Sequence, residues 1–180
     1  ENEHDFRNFL SIERVRTALS HREPDRVPIF LLLTMHGARE LGMSLDEYYR
    51  TGENIAEAQV RMQRKYRTDC MVPYYFAAME AEMWGGTVIY REDGPANSGG
   101  PVIHKIEEID SLEVPDISKS KLAAKTVKSI ELMKERTEGT VPIIANAVSP
   151  FSLPIMQLGF EQYFELFYFH RERFWKLMEL

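Results

Sequence analysis

The amino-acid sequence predicts an α/β fold in which a parallel sheet is covered by helices, on three observations. Short apolar runs bounded by turn residues recur at 27–33, 69–77 and 140–147. Segments with apolar residues at helical spacing lie between them, and strands that alternate with helices pack as a parallel sheet with helices on its faces. The chain has 180 residues and ends in an amphipathic pattern without a stop signal, whereas a complete eight-fold barrel takes about 250 residues. The expectation is a single domain over residues 1–180 forming about the N-terminal half of a TIM-type (β/α)8 barrel, with a small open sheet as the other possibility.

Each element has a local reason. "SIERVRTALSH" (11–21) sets Ile12, Val15 and Leu19 on one helix face with Ser11 as N-cap. Pro24 in "REPDR" ends that helix, and "VPIFLLL" (27–33) reads as a buried strand. Ser44 with Glu47 three residues on is a capping-box pattern for a short helix; after Gly52, the residues Ile55, Ala58, Val60 and Met62 continue as a long one. "DCMVPYYFA" (69–77) is the second strand, and "AAMEAEMWGG" (77–86) a short helix closed by glycines. Residues 86–106 form a hairpin excursion in which "TVIYRED" and "PVIHKI" pair across a Gly/Pro/Asn loop. A turn ended by Pro115 leads into a helix with Leu122, Val127, Ile130 and Met133 on its apolar side and Gly139 as its stop. "TVPIIANA" (140–147) is the third strand. The aromatic segment 160–180 forms one or two helices packed on the outside of the barrel.

Composition removes several classes of function. With 44% apolar and 28% charged residues, a net charge of −6 and a pI near 5.5, the chain has a core and no attraction for phosphate backbones, so nucleic acid is not expected as a partner. No apolar run approaches the roughly 20 residues that span a bilayer, and the acidic start "ENEHDFRNF" is unlike a signal peptide. The lone Cys70 leaves no internal disulfide. A cytoplasmic protein without membrane contact is the expectation. "GPANSGGP" lacks the Gly-x-x-x-x-Gly-Lys-Ser/Thr of a phosphate loop.

Candidate substrate-binding residues follow the strands, where a barrel gathers its chemistry. His36, beside Met35, reads either as a site residue or as a hydrogen-bonded loop histidine. Glu80 and Glu82 flank Ala81 after the second strand; one can face the mouth, or both can be helix-end carboxylates. Tyr74 and Tyr75 alternate along a strand, so one faces inward and one outward. Asn146, near the end of the third strand, is a site residue or a structural hydrogen-bonder. No catalytic role is assigned to any of them. Cys70 has no His or Cys at metal-ligand spacing, so no metal is expected in this chain.

The order of these signals resembles the uroporphyrinogen decarboxylase superfamily. "RVRTALSHREPDRVPIF" is similar to its first helix and strand with an Asp-Arg-Val-Pro turn, and "EYYRTGENIAEAQVRMQRKYRTDCMVPYYF" to the next helix and strand. "EAEMWGGTVIYREDGPA" and "VPIIANAVSPFSLPIMQLGFEQYF" resemble later family segments. The resemblance covers residues 12–180 and implies the first half of a TIM-type barrel. Its decarboxylases carry carboxylate-binding arginines after the first strand, where this chain has Leu33 and a small residue near Gly37, with Arg39 offset; their aspartate falls near Phe76 and their tyrosine near Met156. These departures favour the cobalamin-dependent methyltransferase branch, which resembles this chain in the Asp-Arg-Val-Pro turn and the Glu-Ala-rich segment. For that branch the resemblance implies a small methylated substrate, a corrinoid on a partner protein, and zinc held by ligands in the second half of the barrel. Uroporphyrinogen decarboxylation is the alternative. A non-catalytic half-barrel acting as a binding module, or pairing as a homodimer, is a third reading.

Overall fold

The computed structural model describes residues 9–92 and 94–180. In chain order its elements are α1 (Ser11–Leu19), α2 (His36–Leu41), α3 (Leu45–Tyr48), α4 (Gly52–Tyr66), α5 (Met79–Met83), β1 (Val88–Ile89), β2 (Asn97–Ser98), α6 (Lys121–Arg136), α7 (Ser152–Leu158), α8 (Phe160–Phe169) and α9 (Arg171–Glu179), with 3-10 turns at Ile106–Ser111 and Ile117–Lys119. The chain divides into two units, one running up to Tyr75 and resuming over Lys125–Asn146, the other comprising Phe76–Ala124 and Ala147–Leu180.

The first unit is tied together by charge. Asp69 is fully buried and accepts hydrogen bonds from Arg14 Nη1 (2.6 Å), Arg26 Nη1 (2.7 Å) and Nη2 (2.9 Å), the Ile29 N–H (2.8 Å) and the Ser11 hydroxyl (3.0 Å). Arg14 also donates to Asp25 through Nε and Nη2, both at 2.6 Å. Ser11 is therefore spent on Asp69 and is not the N-cap of α1. That position is Leu10, whose N–H donates to the Glu13 carboxylate at 2.8 Å. The buried residue of α1 is Arg14, while Leu19 faces solvent.

The apolar runs expected as three strands make one parallel bridge among the described residues, Met71 with Ile143. It rests on Met71 N–H to the Pro142 carbonyl and Ile144 N–H to the Met71 carbonyl, both 2.9 Å. The reason the ladder stops there is that each run carries a proline, Pro28, Pro73 and Pro142, and each proline removes a donor. Helix side chains supply the missing partners. Gln59 on α4 donates to the Leu33 carbonyl (2.8 Å) and accepts from the Val72 N–H (3.1 Å). Ser129 on α6 accepts from the Tyr74 N–H (2.9 Å), and Thr126 donates to the Tyr74 carbonyl (3.1 Å). Run 27–33 also departs from the expected buried strand. Besides the Gln59 bond at Leu33 it bonds to Thr68 and Asp69, and Val27 and Leu32 are 80% and 62% exposed. The apolar core of this unit gathers Ala56, Val60, Met71, Met133 and Val141. Gly52 starts α4 against the Lys125 carbonyl, closer than any Cβ could come.

The second unit packs Ile103, Ile106 and Ile109 against Leu158, Tyr163, Leu166, Phe174 and Leu177. Its hairpin pairs Val88 with Ser98 and Ile89 with Asn97, antiparallel. The second strand thus lies inside the stretch expected as loop, and 101–106 is not a strand; Asp93, in the expected first strand, lies outside the described residues. The aromatic helices depart too. Tyr163 and Phe174 are buried, but Phe160, Tyr168 and Trp175 are exposed, and Phe169 is 80% so. One stripe of each helix meets the core, and the remaining rings contact one another, as Phe160 does Phe164 with centroids 4.8 Å apart.

Two outcomes test the charge network. Asp69→Asn leaves two guanidiniums facing a neutral amide and should lower the unfolding free energy by about 3 kcal/mol in urea titration; a loss near zero would remove the network from its supporting role. The Arg14 guanidinium holds the Asp25 carboxyl down at about 2. Burial pushes Asp69 up, but the bonds from Ile29, Arg26, Arg14 and Ser11 outweigh it, so it too sits below the ordinary value. Carboxyls depressed on folding stabilise above their unfolded value of about 4 and lose that contribution as pH falls toward 2. The urea midpoint should fall across that window, and less steeply in Asp25→Asn.

Candidate functional site

The second unit contains a cavity of about 300 Å³, the lower end of the range for small-molecule sites. It is built where the chain leaves two of the apolar runs, for α5 follows residues 69–77 and the loop at Val148 follows 140–147. Glu80 on α5 ties these together, both carboxylate oxygens lying 2.9 and 3.0 Å from the Val148 N–H. The wall is otherwise largely apolar, with Trp84, Val148 and Leu153 prominent, and among the described residues it carries no lysine, arginine or histidine. Its other polar side chain is Gln157 on α7, 2% exposed. The Gln157 carbonyl accepts the Val102 and Ile103 N–H groups at 2.7 and 2.8 Å.

Of the residues singled out in the sequence, only Glu80 lies on this wall. Glu82 is half-buried on the same helix but not part of it. Tyr74 is a core residue: it is fully buried, its hydroxyl donates to the Tyr49 carbonyl at 3.0 Å and its ring meets Tyr49 edge-on at 5.9 Å. No face of it is left for a ligand. Tyr75 is half-buried, and neither tyrosine lies in a strand. Met35 caps and His36 opens α2. The imidazole Nε2 lies 3.1 Å from the Tyr66 hydroxyl at the end of α4 and 3.5 Å from Glu40. Tyr66 and Lys65 also donate to Glu40, at 2.8 and 2.6 Å, and the Lys65 bond is the main reason the Glu40 carboxyl is held below its usual range. His36 thus belongs to a polar cluster on the helix layer of the first unit. Asn146 has its Nδ2 buried without a hydrogen-bond partner among the described residues.

The cavity residues that sequence reasoning passed over are Trp84 and Gln157. Trp84 stood beside a double glycine that read only as a helix stop, and Gln157 was the one polar residue in "LPIMQLG". Three of the positions at which the resemblance to the decarboxylases breaks now have physical content. A Cβ at Gly37 would overlap the Tyr48 phenol and Ala58, so no arginine fits there, while Arg39 is exposed on α2. Phe76 is buried with its ring edge-on to Tyr90 at 6.0 Å. Met156 is half-buried on α7. Cys70 is buried and its thiol is pushed up by burial, so it is no thiolate. Among the described residues no three His, Cys, Asp or Glu side chains converge as a metal site, and no helix is long and apolar enough to cross a membrane.

The family model for uroporphyrinogen decarboxylase (URO-D) matches residues 10–180, and the chain belongs to that family. Among solved structures 23 chains match at a significant level. One is a methyltransferase from Methanosarcina mazei, with a TM-score of 0.80 and 14% sequence identity over 96% of this chain and 52% of that one. The chain therefore spans about half the length of that methyltransferase, and the likeness at this identity is one of fold. No curated protein matches the sequence at a significant level.

The Glu80 latch is open to test. In Glu80→Ala the Val148 amide loses its acceptor, and its hydrogen exchange should rise by about tenfold, the equivalent of one charge-assisted bond. An unchanged rate would mean that the loop is held by other contacts.

Proposed function

We propose that the protein is a methyltransferase of the uroporphyrinogen decarboxylase family that moves a methyl group between a small methylated compound, a corrinoid protein and an acceptor. In this reading the chain supplies about the N-terminal half of a barrel. The observation that carries it is the chemistry of the cavity, which is small and apolar and, among the described residues, furnished with a carboxylate and no cation. A tetrapyrrole bearing many carboxylates needs cationic partners, because each unpaired carboxylate taken out of water costs several kcal/mol. A cavity of about 300 Å³ also suits a small molecule better than a macrocycle. The crowding at Gly37, which leaves no room for an arginine, points the same way. So does the likeness in fold to the methyltransferase from Methanosarcina mazei.

The chain's own residues have definite parts in this reading. The apolar wall excludes water, so a methyl carbon seated there meets its nucleophile without competing hydrolysis. Glu80, fixed by the Val148 N–H, positions the donor. Zinc does not fit the residues present: they offer no converging ligand set, and the only cysteine is a buried, protonated thiol. Zinc, as the family resemblance implies, would be held by ligands in the second half of the barrel. The corrinoid is proposed to arrive on a partner protein.

The test is methyl transfer from small methylated compounds to cob(I)alamin, followed in the visible spectrum as methylcobalamin forms. The protein with both halves of the barrel should carry it out while residues 1–180 alone are inactive, and Glu80→Ala in the former should lower kcat/KM by tenfold or more. Formation of coproporphyrinogen from uroporphyrinogen under the same conditions would overturn the reading.

A further inference from the structure

Helix α8 is apolar on two sides. Tyr163 and Leu166 are buried in the core of the second unit. Phe160, Phe164 and Tyr168 recur at every fourth residue, so they form a line along the helix turned away from those two. Their rings touch in order, Phe160 with Phe164 at 4.8 Å and Phe164 stacked on Tyr168 at 6.2 Å. Phe167 and Phe169 extend the patch from Tyr168, at 5.1 and 6.4 Å, and Trp175 joins it through Phe174. A surface helix of a globular protein keeps one apolar stripe, and one that is apolar beyond it is covered beyond it. Phe160, Phe167, Tyr168, Phe169 and Trp175 are between 45% and 80% exposed, which at about 200 Å² per ring leaves on the order of 600 Å² of aromatic surface in water. That is the upper end of the largest patch on an ordinary monomer, and it approaches the roughly 800 Å² that each partner buries in a stable interface.

The charges around the patch indicate its occupant. Glu161, exposed near the start of α8, makes no ion pair among the described residues, and Glu165 follows it one turn on. At the other end Arg173 bonds Asp110 with Glu172 nearby, and Lys176 lies against the same Asp110. Arg171, which opens α9, is the cation left free there among the described residues. The ring line is thus acidic at one end and basic at the other, a pattern that matches itself when reversed. We propose that this face is an interface between two copies of the chain, packed about a two-fold axis with α8 of one copy antiparallel to α8 of the other. A two-fold contact is isologous, so each pairing occurs twice. Antiparallel packing sets Glu161 of each copy toward Arg171 of the other, brings each helix N-terminus beside a C-terminus, and lays the two ring lines together. Parallel packing would instead oppose like charges. The inference does not depend on which reaction the enzyme carries out.

The test uses the protein with both halves of the barrel. Sedimentation equilibrium at micromolar concentration should give a dimer, and Tyr168→Arg should weaken it by about tenfold or more with an unchanged circular dichroism spectrum. Tyr168 is exposed, so that change leaves the core intact. Glu161→Arg should also weaken the dimer, and adding Arg171→Glu in the same chain should restore it, a rescue that depends on the two copies exchanging the pair. Phe169→Cys reports what lies on the face. Maleimide labelling of the peptide that carries position 169 should be fast in dilute protein and slow in concentrated protein. A monomer at every concentration overturns the proposal, as does a dimer indifferent to Tyr168→Arg or a double reversal that restores nothing. Slow labelling at every dilution overturns it too, for the face is then covered by the other half of the barrel in the same chain.

Discussion

The first unit depends on one buried carboxylate. Asp69 has no contact with solvent, and an isolated anion in that position would be untenable. It is tolerated because five donor groups converge on it from three places in the chain: α1, the turn at Asp25 and Arg26, and the backbone of Ile29. Each of those segments is held because Asp69 needs it. The charges nearly balance, two guanidiniums against Asp25 and Asp69, so the cluster attracts without leaving a residual charge. It also fixes register. A slip of one residue would place Thr68 or Cys70 among the guanidiniums, and neither is an anion.

From that anchor the apolar segments are laid side by side with little help from one another. Proline in each of them thins the backbone ladder, and helix side chains complete it, which couples helix rotation to the segments beneath. α6 shows the consequence. Thr126 and Ser129 must reach the backbone of Tyr74, and Met133 follows on the same stripe into the core. Val127 is then turned outward. The rotation was set by two hydroxyls and not by the most apolar face.

This is also where sequence reasoning stops. α1, α3, α4 and the glycine-closed α5 were legible because caps and spacing are local, as Ser44 with Glu47 shows. α2 was missed because "HGAREL" has no cap and is held by Gly37 lying against Tyr48 and Ala58, a contact made at a distance. The strands were over-read because apolar runs report burial and not pairing, and run 27–33 lacks even the burial. The Asp-Arg-Val-Pro turn looked like a loop signature and is an ion network, since nothing local tells Arg14 that its partner lies 55 residues on. In the cavity, Glu80 was legible as a carboxylate after a strand. Gln157 was not, because a glutamine on an amphipathic helix is ordinary until its surroundings are seen.

Glu80 itself carries two separable duties. As a latch it needs only an oxygen opposite the Val148 N–H, and the neutral amide of a glutamine would provide one. The latch therefore does not account for the charge. A carboxylate costs more to desolvate than an amide does, and the cavity gives it no cationic side chain in compensation. Glu80 is, however, only half-buried, so part of the carboxylate stays in contact with water, which solvates the charge. The bond to the Val148 N–H is thus what Glu80 contributes to the fold, and its exposed part is held by water.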